Sequence, residues 1–359
     1  MNRFAAAGLA GLVMSSGCAT PVPPSPWPPG GWQVQHADST ALFIAVAPVD
    51  SMTVWAAGTG GRVARTTDGG TTWLVTVVPG ADSLQFRDVH AFSADEAFVL
   101  SIGNGPASRI YHTTDGGATW RLSFQNTDST AFFDCLSFWD RQRGLAFSDS
   151  HDAEFTLIRT KDGGATWTRI DPAVVPDARP GEGAFASSGT CVVTRPGGLA
   201  WFVTGASGVD TRVIRTSDYG DSWQAGLTPI ASPGSTSGIT SLSMLDDATG
   251  AIVGGNVAGP DSSSPTVDVA VTSDGGVTWQ AAGRTGLAPA PYGVAHVPGT
   301  PTATLVAASP GGSAWSTDNG ASWTRIDSVN TWAVAFTSPT AGWAVGRGHI
   351  SRLIPPRAP

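Results

Sequence analysis

Six copies of one eight-residue segment punctuate the chain: TTDGGTTW from Thr66, TTDGGATW from Thr113, TKDGGATW from Thr160, TSDYGDSW from Thr216, TSDGGVTW from Thr272 and STDNGASW from Ser316. They reduce to [ST]-x-D-x-G-x-[ST]-W. Equivalent segments in tandem must take equivalent places in repeated structural units, so this pattern constrains the fold more than any composition could. The motif aspartates, Asp68, Asp115, Asp162, Asp218, Asp274 and Asp318, fall 47, 47, 56, 56 and 44 residues apart. A period of this size suits one four-stranded sheet per repeat.

Each unit carries the same succession of strand-like runs. In the second these are Val89–Phe92, Ala97–Ile102, Ser108–Thr113 and Thr119–Phe124, rich in Val, Ile, Phe and Thr. The motif reads as the turn between the third and fourth strands. Its Asp accepts hydrogen bonds from turn N–H groups, its Gly supplies a backbone angle other residues resist, and its hydroxyls close the turn locally. The Trp begins the fourth strand and is placed to pack against a neighbouring unit. The six aspartates are therefore structural.

After Trp323 three further strand-like runs follow, Thr331–Thr337, Gly342–Gly346 and His349–Ile354, with no room for a fourth. Trp32–Gln35 precedes the first full repeat and can supply it. The expected fold is all-β: a seven-bladed β-propeller of four-stranded antiparallel blades. The ring would be closed by sharing the last blade between both termini, which removes exposed sheet edges.

The expected organisation is a signal segment at 1–18, a Pro-rich tether at 19–31, the propeller at 32–354 and a tail at 355–359. Arg3, the apolar run Phe4–Met14 and the small residues before Cys18 read as an export signal, too short for a comfortable membrane span. Its Gly-Cys junction resembles a bacterial lipoprotein box, with Cys18 the lipidated residue. Ser15 departs from the aliphatic residue usual three places earlier. Ala19, rather than Asp, favours the outer membrane. The mature protein would then be a cell-envelope lipoprotein facing the periplasm or the surface.

Gly is 45 of 359 residues and only 13% are charged, as many tight turns require. A net charge of −8 argues against a nucleic-acid partner or a broad anionic membrane surface. Membrane contact is expected only through the lipid anchor. Cys135 and Cys191 fall in the expected innermost strands of adjacent units. An exported chain permits a disulfide between them, and two separate buried thiols fit equally well. No histidine or cysteine falls at metal-ligand spacing. The glycine-rich pieces at Gly58–Gly61 and Gly103–Gly105 lack the helix a phosphate loop needs. No metal or cofactor is expected.

The repeated segment is the Asp-box, or BNR repeat, shared by sialidases, some endoglucanase-type glycoside hydrolases and the photosystem II stability and assembly factor family. SFWDRQRGLAFSD (Ser137–Asp149), GEGAFASSGT (Gly181–Thr190) and GWAVGRGHISRL (Gly342–Leu353) most resemble the last of these, with its relatives in non-photosynthetic bacteria. That resemblance covers the whole mature chain. It implies a seven-bladed propeller acting as a binding or assembly scaffold. Sialidase chemistry needs a tyrosine nucleophile backed by a glutamate. Tyr292 is the one candidate tyrosine and no Glu pairs with it in sequence, so that activity is rejected.

Candidate site residues follow from aligning the innermost strands. FRDVHAF (Phe86–Phe92) falls on FFDCLSF (Phe132–Phe138), which puts Asp88 and Asp134 at equivalent places. A pair of carboxylates roughly 5–10 Å apart is the machinery of glycoside hydrolysis, and Glu182 is a third acid near the same rim. The commoner arrangement is that Asp88 pairs with Arg87 or Arg109 and Asp134 caps loop N–H groups, because ion pairs and turn caps outnumber catalytic dyads. Arg87, Arg109, Asp149, His151, Tyr292 and Trp332 are expected to form a ligand-binding rim. Arg141 and Arg143 belong to a loop on the opposite face. The function expected is a monomeric binding scaffold for an envelope protein or glycan, with a glycan-cleaving enzyme built on Asp88 and Asp134 as the alternative.

Overall fold

The computed structural model describes residues 1, 29–205, 208, 210–259 and 266–355. Apart from Met1, the expected signal segment, with Cys18, and most of the Pro-rich tether lie outside them. Among the described residues the helices are two single 3-10 turns, Gly105–Ala107 and Pro172–Val174. All other regular structure is antiparallel strand.

The six motif turns share one hydrogen-bond pattern. In the first, Thr66 Oγ1 donates to Asp68 Oδ1 at 2.8 Å and accepts from Gly70 N at 2.9 Å. Thr72 donates from its backbone N to Asp68 Oδ1 at 2.9 Å and from its hydroxyl to Oδ2 at 2.7 Å. Asp115, Asp162, Asp218, Asp274 and Asp318 repeat these bonds. Each carboxylate is spent inside its own turn. Those bonds hold Asp68, Asp162 and Asp274 down to about 2.

Five sheets have four strands each, in simple sequential order. The sixth departs from expectation. Strands Thr331–Ser338, Ala341–Leu353, Trp32–Pro48, Val54–Gly58, Arg62–Thr66 and Leu74–Val77 form a single six-stranded sheet. The described residues therefore form six sheets, not the seven blades expected. The physical reason is the length of Trp32–Pro48. Its first half pairs with the C-terminal strand, Trp32 opposite Leu353 and Ala37 opposite His349. Its second half pairs with Val54–Gly58, Val46 opposite Ala56. A shift in register between Ala37 and Leu42 lets one strand change partners without ending. The two chain ends do meet in hydrogen-bonded strands, within this joined sheet.

The first strands of successive sheets pack against one another around a common axis, and the six-stranded sheet contributes both Thr331–Ser338 and the end of Trp32–Pro48 to that wall. Aromatic and apolar side chains fill the spaces between sheets. Trp55, Trp201 and Trp343 are fully buried. Two of these indoles cross to the next sheet, Trp55 Nε1 donating to Ser93 O at 2.9 Å and Trp201 Nε1 to Gly275 O at 2.8 Å. The motif tryptophans join the same interfaces. Trp120 meets Trp55 edge to face at 6.2 Å, and Trp167 donates to Ser123 Oγ at 3.0 Å. Cys135 and Cys191 are joined as a disulfide, which links strand Phe133–Phe138 of the third sheet to the residue just before strand Val192–Arg195 of the fourth.

Candidate functional site

The loops leading into the first strands, with those joining second and third strands, gather at one end of the axis. There they border an open cavity of about 340 Å³. Arg87 comes from strand Phe86–Ala91, Asp134 from Phe133–Phe138, and Asp149 from Gly144–His151. Tyr292 precedes strand Gly293–His296, and Trp332 belongs to Thr331–Ser338. Phe132, Phe185, Ile102 and Val257 complete the apolar wall. Five of the residues expected at the rim or as candidate acids are thus brought together from four sheets.

Two of them are fixed by their neighbours. The Arg87 guanidinium lies over the Trp332 ring, 5.1 Å from its centroid. Its Nη1 donates to Ala186 O at 2.9 Å and its Nη2 to Gln85 Oε1 at 3.1 Å. Tyr292 meets Trp332 edge to face at 4.9 Å and donates its hydroxyl to Val257 O at 3.1 Å. Burial holds that hydroxyl above its usual range, so it remains a neutral donor.

The acids are differently placed. Asp134 is 1% exposed, and among the described residues its Oδ2 has no hydrogen-bond partner. Burial raises its carboxyl well above the usual carboxylate range, the neighbouring Asp149 charge raises it further, and a hydrogen bond from the Asp149 backbone N–H and then the Arg87 charge partly offset this. Asp149 accepts from Ala184 N at 2.7 Å, and burial pushes it up to about 6. The two sit on paired strands of one sheet, where Phe133 is opposite Ser148.

Asp88 is not part of this cavity. It lies behind the wall and accepts from Leu136 N at 2.7 Å, and burial raises its carboxyl well above the usual range. Neither Arg87 nor Arg109 is its partner. Its Oδ1 lies 2.5 Å from where a Cβ on Gly189 would stand, and Gly189 has φ +76°, so only glycine suits that position. Glu182 is also spent elsewhere. Arg212 Nε donates to its Oε1 at 2.8 Å, Arg212 Nη2 to its Oε2, and Arg179 N to Oε2 at 2.9 Å. This is a buried ion pair, with side-chain exposures of 8% for Arg212 and 0% for Glu182.

Arg109 donates to Pro106 O at 2.7 Å and to Tyr111 Oη at 3.1 Å, outside the cavity. His151 is half exposed, its Nδ1 3.2 Å from Asp152 Oδ2, and lines a separate cavity of about 440 Å³ with Arg179 and Gly181. Arg141 and Arg143 lie at the motif end, where Gln142 O accepts from Gly163 N at 2.9 Å. The residues that sequence reasoning missed are Phe132, Phe185, Ile102 and Val257. All come from loops or strand ends without regular pattern. Among the described residues no three His, Cys, Asp or Glu side chains gather as a metal site.

No family model matches the sequence, and no curated protein matches it. Solved structures do. YCF48 bound to D1 peptide superposes with a TM-score of 0.60 at 17% identity, over 91% of this chain and 95% of that one. YCF48 from Cyanidioschyzon merolae gives 0.63 at 16% identity, over 91% and 99%. By fold the chain is a β-propeller. The GH74 xyloglucanase from Xanthomonas campestris gives 0.61 at 16% identity, over 89% of this chain, which spans about half (52%) of the enzyme. At such identities the likeness is one of fold, and the propeller's chemistry has to be argued from its own cavity.

Proposed function

We propose that this propeller is a binding scaffold, and that its site is the cavity at the loop end of the axis. The observation that carries the reading is the convergence of Arg87, Asp134, Asp149, Tyr292 and Trp332 from separate sheets on one concave surface. Arg87 and Tyr292 are already held by hydrogen bonds and ring contacts, so a partner meets groups that need no further ordering. In keeping with the sequence, the chain is exported, anchored by a lipid on Cys18 in the outer membrane, and monomeric. Its partner is an envelope protein or a glycan. The YCF48 structure with a D1 peptide supports peptide binding by a propeller of this shape.

The acids favour binding over cleavage. Glycoside hydrolysis places its two carboxyl groups on either side of the scissile bond. Asp88 is behind the wall, Glu182 is consumed by Arg212, and Asp134 and Asp149 are side by side on one sheet.

The test is a panel of envelope-derived peptides and oligosaccharides. Binding is measured with wild type and Trp332→Ala, and product release with wild type and Asp134→Asn. Saturable binding that Trp332→Ala abolishes at unchanged melting temperature, without product, supports the scaffold. Turnover lost in a folded Asp134→Asn overturns it.

A further inference from the structure

We infer that the cavity takes an alkylammonium group, the end of a lysine side chain presented by a partner, between the carboxylates of Asp134 and Asp149. This inference rests on the scaffold reading and names the chemistry of its ligand.

The geometry leaves one kind of group unprovided for. Asp134 is almost wholly buried and lines the cavity, yet among the described residues its Oδ2 has no hydrogen-bond partner. A buried carboxylate oxygen without a donor is costly, and sites retain such groups where a ligand completes them. Asp149 adds a second carboxylate from the paired strand, and among the described residues only its Oδ1 is engaged, by Ala184 N. Among the described residues neither acid forms an ion pair. The nearby cation, Arg87, donates instead to Ala186 O and Gln85 Oε1, with its face against Trp332. An ammonium carries three donors on a compact head, which matches two adjacent carboxylates. Phe132, Phe185 and Ile102 offer apolar surface to its methylene stem, and about 340 Å³ suits a four-carbon chain.

Other occupants fit less well. A hard divalent cation takes six or more oxygen ligands, and no third acid gathers here among the described residues. An anion aimed at Arg87 would stand beside two acids.

Binding by this route moves a proton. The groups facing Asp134 are Asp149, Arg87 and Tyr292 across the cavity, with Asp88 behind it on Leu136 N. With the cavity empty, burial raises both carboxyls and so favours their protonated forms. An arriving ammonium keeps its own proton and favours both carboxylates in charged form, so a proton held by the acids passes to solvent.

The experiment titrates the full chain with n-butylammonium, with the peptide acetyl-Gly-Lys-Gly-amide, with butyrate and with methyl glucoside, by calorimetry in two buffers of different ionisation enthalpy. The expected result is saturable ammonium binding with proton release near pH 6, where Asp149 titrates. Affinity should be at least tenfold weaker at pH 5 than at pH 8, and lost in both Asp134→Asn and Asp149→Asn. Tighter binding of the peptide assigns the group to a protein partner, and equal binding to a free amine. Both outcomes retain the ammonium site. Affinity independent of pH, binding unaltered in both variants, or butyrate or methyl glucoside binding in place of the amine overturns it. If a panel ligand still binds through Trp332 while butylammonium does not compete, the ammonium inference falls and the scaffold reading stands. If no ligand responds to cavity variants, both fall.

Discussion

The guanidinium of Arg87 lies over the ring of Trp332, 5.1 Å from its centroid, with the two side chains drawn from different sheets. That contact places a fixed positive charge at the edge of a cavity whose acids form no ion pair among the described residues. Arg87 lowers the Asp134 carboxyl against the opposing effects of burial and Asp149. Arg87→Ala should therefore raise the Asp134 midpoint further. A carboxyl-carbon NMR titration of wild type and variant checks this, and an unmoved midpoint would show that the two groups do not interact.

Asp149 ties stability to pH. Its carboxyl titrates at about 6 in the folded chain, against about 3.9 unfolded. Between these values the folded state holds the proton more tightly, so Asp149 lowers stability as pH rises from about 4 to about 6. At 1.36 kcal/mol per pKa unit the full effect is up to about 3 kcal/mol. Asp149→Asn can still accept from Ala184 N. It should match wild type near pH 4 and exceed it above pH 6 in urea unfolding, whereas parallel curves across that range would contradict the assignment.

Glu182 and Arg212 are a buried pair, and removing one partner strands the other. Glu182→Ala should cost about 3–5 kcal/mol in denaturant unfolding because Arg212, only 7% exposed, loses its counter-charge. A loss below 1 kcal/mol would mean that Arg212 finds water or another acceptor. A Glu182→Ala protein that still folds should keep its cavity binding, because Glu182 does not line that cavity.

The disulfide between Cys135 and Cys191 spans 56 residues of chain and connects two neighbouring sheets. Loop-closure entropy for that separation gives about 4 kcal/mol of stabilisation. Cys135→Ala with Cys191→Ala should lower the melting temperature by several degrees, with no further fall on adding reductant. Reductant that leaves wild type unchanged while the double variant is destabilised would show that packing around the sulfurs, and not the cross-link, is what matters.

Local features were the legible ones. The [ST]-x-D-x-G-x-[ST]-W turns close through bonds between residues two to four apart, so their geometry is written in the motif itself. Aligning the first strands placed Cys135 and Cys191 on adjacent sheets. It also put Asp134, Tyr292 and Trp332 at one end, where the cavity is. The six-stranded sheet was not legible, because nothing in Ala37–Leu42 marks an end to the strand, and a continuous backbone can exchange partners there. Asp88 was misplaced for a related reason. Its neighbours Leu136 N and Gly189 come from other sheets, and no spacing in the sequence announces them. The partner of Glu182 lies thirty residues on and carries no motif.

The central claim is that ligands enter at the loop end of the axis, and the Trp332 indole reports on it directly. Its Nε1–H donates to Asn330 Oδ1 at 3.1 Å, and its ring faces both Arg87 and Tyr292. Trp332→Phe assigns its indole N–H resonance by difference. Titrating a binding peptide or oligosaccharide should shift that resonance saturably, with the same midpoint as the calorimetric curve. Saturable binding that leaves it unmoved, while indoles at the motif end such as Trp73 respond, would place the site on the opposite face and contradict the account.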